Sequence, residues 1–137
     1  MNIEILTDSI KKHEGYRSRV YEDTLGYETI GYGFAIKDLE LDEAVSSLIL
    51  EKKVMKLIMR CNNAFSWLKK LPVEAQMVIV EMCYQLGVSG VSKFVKTIKH
   101  LKEKSWRSAA AEMLSSRWAV QTPNRAQELS EIIGGLE

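Results

Sequence analysis

At 137 residues the chain has the length of about one domain, enough to bury a working core without disulfides or a structural metal. Hydrophobic residues make up 46% and charged residues 27%, and the net charge is +1, which excludes the strongly basic footprint of a nucleic-acid binder. Met1 is followed at once by polar and acidic residues, and no apolar stretch is long enough to span a bilayer. The expectation is a chain made in a cytoplasm without a signal peptide and without membrane insertion, so that work outside the cell needs a separate release route.

Residues 2–14 read as a helix, because Ile3, Leu6 and Ile10 form an apolar stripe between charges, and Gly15 can stop it. Residues 16–36 read as strand. Ile30, Tyr32, Phe34 and Ile36 alternate with small or polar residues, and Leu25-Gly26 is a plausible hairpin turn. Residues 41–60 read as a long helix broken by Asn62-Asn63. Pro72 marks the start of a largely apolar helix over 73–86, of the kind usually central in a core, closed by Gly87 and Gly90. Phe94, Ile98 and Leu101 mark another helix, residues 105–114 one more, and Pro123 opens the last. The outline is an α+β, mostly α fold. A minimal β-lobe over 15–39 and a connecting helix over 40–61 lead to a helical lobe of 62–137 plus 1–14, together one domain with a cleft between unequal lobes.

Several residues invite functional readings. Cys61 and Cys83 sit in apolar runs without CxxC spacing and read as reduced, mostly buried thiols; a disulfide needs the fold to bring them together. His13 and His100 are the only histidines, so no metal site and no cofactor is expected. Lys93, Lys96, Lys99, Lys102, Lys104 and Arg107 form a basic run, read first as a solvated face and second as an attractor for an anionic surface. Trp67, Trp106 and Trp118 read as packing residues by default.

Glu14 ends the first helix, Asp23 follows in the first strand or turn, and Thr29 starts the next strand. Glycoside hydrolysis needs two carboxyl groups, one to protonate the leaving oxygen and one to activate water or attack the sugar. A carboxylate and a hydroxyl can hold one water jointly. By spacing alone, Glu14 reads equally as a solvated helix end and Asp23 as a turn former.

The neighbouring residues add specificity. His13-Glu14-Gly15, Tyr21-Glu22-Asp23-Thr24 and Gly26-Tyr27-Glu28-Thr29-Ile30-Gly31-Tyr32-Gly33 together resemble the catalytic region of the phage lysozyme family. Tyr84-Gln85-Leu86-Gly87 resembles the end of that family's central helix. Ser116-Arg117-Trp118, followed by Gln121-Thr122-Pro123-Asn124-Arg125, resembles its C-terminal motif. The resemblance covers nearly the whole chain. It implies a lysozyme-like fold and a monomeric muramidase acting on peptidoglycan glycan strands. Glu14 would be the general acid, Asp23 the second carboxylate, and Thr29 an aid in placing water. Tyr84, Gln85 and Thr97 fall where the family lines its saccharide groove, with Trp118 near the cleft. Arg125 falls where the family sets an arginine facing the glutamate. Apolar burial would hold the proton on Glu14 and a facing Arg125 would release it.

Two departures stand out. Phe34 replaces the family's usual histidine and reads as a core residue. Only Ala35–Leu39 separate the last strand from the long helix, where many relatives have a longer loop. A low wall there predicts weak substrate affinity with turnover preserved, or a partner that completes it. A lytic transglycosylase and a non-catalytic glycan- or protein-binding module on the same scaffold remain as alternatives. So do a free endolysin and a virion-associated lysin.

Overall fold

The computed structural model describes all 137 residues, in two compact units, Met1–Ser46 and Ser47–Glu137. The architecture is mostly helical with one small antiparallel sheet.

In the first unit, helix α1 (Ile3–Glu14) begins at Asn2, whose Oδ1 accepts the amide of Ile5 at 3.0 Å, and ends at Gly15. Strands β1 (Arg17–Glu22), β2 (Glu28–Gly31) and β3 (Phe34–Ala35) pair antiparallel in chain order. Tyr21 faces Thr29, and Thr29 in turn faces Ala35. The turn between β1 and β2 closes where Gly26 takes a φ of 85°.

The unit has almost no apolar interior. Thr29 is its one buried residue, and cations over rings tie the pieces together instead. Lys11 of α1 lies 5.4 Å from the Tyr32 ring, Arg17 4.7 Å from Tyr21, and Lys37 4.3 Å from Tyr27. Phe34 departs from its expected core role. It is 48% exposed and meets Tyr32 edge-on, because positive φ at Gly31 and Gly33 breaks the alternation that would have turned it inward.

Helix α2 (Glu43–Ala64) starts at Asp42, whose Oδ1 accepts the amide of Val45 at 2.8 Å, and crosses from the first unit into the second. The break expected at Asn62-Asn63 comes at Ala64, one residue beyond the pair, and the chain leaves the helix at Phe65, which is buried in the core.

The second unit is built around helix α3 (Val73–Ser92), which buries Ala75, Val78, Ile79, Met82 and Cys83. Gly87 leaves helical geometry with a φ of 77°, as its glycine suggested, but the chain resumes helix through Gly90 to Ser92. Helix α4 (Val95–Lys102), α5 (Trp106–Leu114), α6 (Arg117–Gln121) and α7 (Pro123–Gly134) complete the unit. Ala109 and Ala126 are fully buried, and their small side chains let α5 and α7 pack closely. No single helix is long and apolar enough to cross a membrane.

The core also brings the two cysteines together. Cys61 and Cys83 are free, buried and in side-chain contact. Burial pushes the Cys83 thiol up to about 12, and the neighbouring Cys61 adds to the rise. In an unfolded chain the same thiol ionises near 9.0. Its contribution to stability is therefore complete below about pH 9 and lost as pH rises towards about 12. Urea titrations from pH 9 upward should show the wild type losing more stability than Cys83→Ala; parallel curves would refute this.

Candidate active site

Glu14 is set by a helix end and a glycine. Gly15 takes a φ of 71°, its amide donates to Lys11 O at 2.9 Å, and the chain turns out of α1 directly after Glu14. The Glu14 carboxyl then lies against the backbone of Gly33, in the link between β2 and β3. A Cβ at Gly33 would overlap Glu14 Oε2 and stand 3.0 Å from its Cδ. Gly33 thus serves two purposes: it adopts a φ of 76°, and it leaves room for the carboxylate.

Asp23 and Thr29 are joined through one residue. Asp23 Oδ1 accepts the amides of Leu25 and Tyr27, both at 2.9 Å, and the Asp23 amide donates to Tyr27 O at 2.9 Å. Thr29 Oγ1 donates to that same Tyr27 carbonyl at 2.9 Å. Asp23 is half-buried, and Thr29 is only 4% exposed. The hairpin turn therefore anchors both the carboxylate and the hydroxyl on the Tyr27 backbone. The Thr29 proton is committed to Tyr27 O, which leaves its oxygen lone pairs to accept a bond from water.

The second unit distributes its candidates between two hollows. Tyr84 and Arg125 line an apolar groove of about 590 Å³, where Arg125 Nε donates to Glu81 Oε2 at 2.8 Å. Thr97 and Trp118 line a separate hollow of about 530 Å³. Gln85 belongs with this pair, because Trp118 Nε1 donates to Gln85 Oε1 at 2.9 Å. Trp118 is 3% exposed and packs edge-on against Phe94 at 6.1 Å, so it acts as a core residue and as a positioner of Gln85.

Sequence reasoning missed three participants. Glu81 reads as one more charge on a helix. Tyr27 acts through its backbone, which carries no residue-type signal. Gly33 stands in the family-like motif, but its contact with Glu14 is visible only in three dimensions. No group of three or more His, Cys, Asp or Glu side chains converges.

The phage lysozyme family model matches residues 11–131. Among curated proteins, the chain is 31% identical to "Probable T4-type lysozyme 1" of Dictyostelium discoideum, over 96% of this chain and 94% of that protein. It is 28% identical to "Probable T4-type lysozyme 2" of the same organism, over 95% of this chain and 94% of that protein. It is also 30% identical to the pre-baseplate central spike protein Gp5 of Enterobacteria phage T4, over 96% of this chain but 28% of that protein. The two Dictyostelium alignments extend over 159 and 160 positions, so those relatives carry segments that this chain lacks.

Proposed function

We propose, from the premise that the chain belongs to the phage lysozyme family, that it hydrolyses the β-1,4 bond between N-acetylmuramic acid and N-acetylglucosamine in bacterial peptidoglycan. The coarser statement follows from membership itself: this is a lysozyme-type glycoside hydrolase. The observation that carries the finer reading is the linkage of Asp23 and Thr29 through Tyr27, in the same compact unit as Glu14.

In this reading Glu14 delivers a proton to the glycosidic oxygen as the bond to the anomeric carbon breaks. A water donates one hydrogen bond to Asp23 and one to Thr29 Oγ1, which aims an oxygen lone pair at that carbon. Asp23 takes the water's proton as the new bond forms. The attack comes from the face opposite the leaving group, so the product is inverted, a route that places paired carboxyls roughly 6.5–9.5 Å apart. Tyr84, Gln85, Thr97 and Arg125 serve the glycan. The protein acts on the wall after release from the cell that makes it.

Purified protein acting on peptidoglycan sacculi provides the test. Reducing N-acetylmuramic acid ends, formed first as the inverted anomer, support the proposal. Anhydro-muramyl ends would identify a transglycosylase, and binding without cleavage a non-catalytic module; either outcome overturns it.

A further inference from the structure

The first unit leaves two aromatic rings without cover. Of the five rings within Met1–Ser46, those of Tyr21, Tyr27 and Tyr32 each hold a cation over them. Tyr16 and Phe34 do not, and they are 65% and 48% exposed. Aromatic surface gathered in water beside a reactive group calls for an occupant.

Phe34 is held in place. Its ring rests on the bare backbone of Gly31, where a Cβ would stand 2.8 Å from Phe34 Cδ2 and Cε2. It meets Tyr32 edge-on at 6.5 Å, and Tyr32 in turn packs against Tyr16 at 5.3 Å. Lys11 ties Tyr32 to α1, the helix that ends at Glu14. The row of rings therefore runs beside the acid. Gly33, which touches the Glu14 carboxyl, lies between Tyr32 and Phe34 in the chain, and Tyr16 follows directly after Gly15 at the end of α1.

Building on the hydrolase reading, we propose that Phe34 stacks against the C–H face of a pyranose ring next to the bond that Glu14 cleaves. The axial hydrogens of a pyranose make an apolar, weakly positive face, and the face of an aromatic ring is apolar and negative. Such a ring selects a sugar and not a charged group. The neighbouring rings fix Phe34 beforehand, so little side-chain freedom is lost on binding. The short link Ala35–Leu39 that follows leaves the ring open to solvent. A protein partner fits less well. A specific interface buries about 1,200–2,000 Å² in total, and two rings of about 150–250 Å² each fall short of it.

Steady-state hydrolysis of soluble, uncross-linked glycan chains tests the proposal. Phe34→Leu keeps an apolar side chain over Gly31 but removes the aromatic face. It should raise KM by about three- to tenfold, the worth of an aromatic contact beyond its buried area, with kcat within about twofold of wild type. Phe34→Trp should restore KM to within about twofold of wild type. An unchanged KM in Phe34→Leu, with or without a fall in kcat, would overturn the proposal. So would a KM raised equally in Phe34→Trp, which would indicate packing and not stacking. A second readout is independent of cleavage. Added to Glu14→Gln, a tetrasaccharide of alternating N-acetylglucosamine and N-acetylmuramic acid should show upfield shifts of its ring C–H resonances, from the ring current of Phe34. Glu14→Gln/Phe34→Leu should not produce them. Shifts that persist in the double variant, or that appear in neither, would overturn the stacking. Shifts that depend on Phe34 with no cleavage by the wild type would end the hydrolase reading alone, so the two failures are distinguishable.

Discussion

Glu14→Gln is expected to slow peptidoglycan hydrolysis by about 10²–10⁴-fold, the usual worth of a positioned general acid, with the fold unchanged. The substitution is nearly isosteric, so the side chain can still lie against Gly33, where the glutamate does. A carboxamide has no proton to give to the leaving oxygen. The loss should fall on kcat and on kcat/KM alike, because proton transfer belongs to the transition state and not to substrate binding. Thermal unfolding should match the wild type, since Glu14 is exposed and enters neither of the chain's ion pairs. Lysis at the wild-type rate would end the assignment of Glu14 as the acid. A large rise in KM with kcat intact would make Glu14 a binding residue instead.

The sequence was most legible where one residue type has one use. Pro72 and Pro123 stand at the starts of α3 and α7, and the apolar run of α3 lies at the centre of the second unit. Glu14, Asp23 and Thr29 could be chosen because their neighbours repeat a family pattern, and the turn and strand around Asp23 and Thr29 formed about where expected. Asn62-Asn63 looked like a stop, and α2 ends at Ala64 directly after the pair. Prediction failed where backbone geometry or long-range contact decided. Phe34 looked like a core residue, yet two glycines with positive φ turned it outward. The Tyr27 link between Asp23 and Thr29 runs through main-chain atoms that every residue possesses. The Arg125–Glu81 pair spans 44 positions of sequence, a separation at which single-chain patterns carry no information.

Gly33→Ala is expected to lower activity by about 10²-fold, the cost of a misplacement of about 1 Å at a reacting group. Two effects combine. The left-handed φ of 76° strains any residue with a Cβ, at roughly 1–2 kcal/mol. The new methyl would also occupy the space of Glu14 Oε2, so the carboxylate must rotate away from the β2–β3 link. Gly87→Ala separates the two effects. Gly87 has a φ of 77°, and a methyl there would meet nothing within 4 Å, so the variant should incur the backbone strain away from Glu14, Asp23 and Thr29. The two variants should lose similar stability in urea, while Gly33→Ala loses far more turnover. A second comparison reaches the carboxylate itself. Glu14→Asp shortens the side chain and should be damaging alone, yet adding it to Gly33→Ala should cost much less than the sum, because the shorter acid no longer meets the methyl. Contacting residues show this non-additivity and distant ones do not. Additive losses, or equal turnover in Gly33→Ala and Gly87→Ala, would mean that Gly33 does not position the acid.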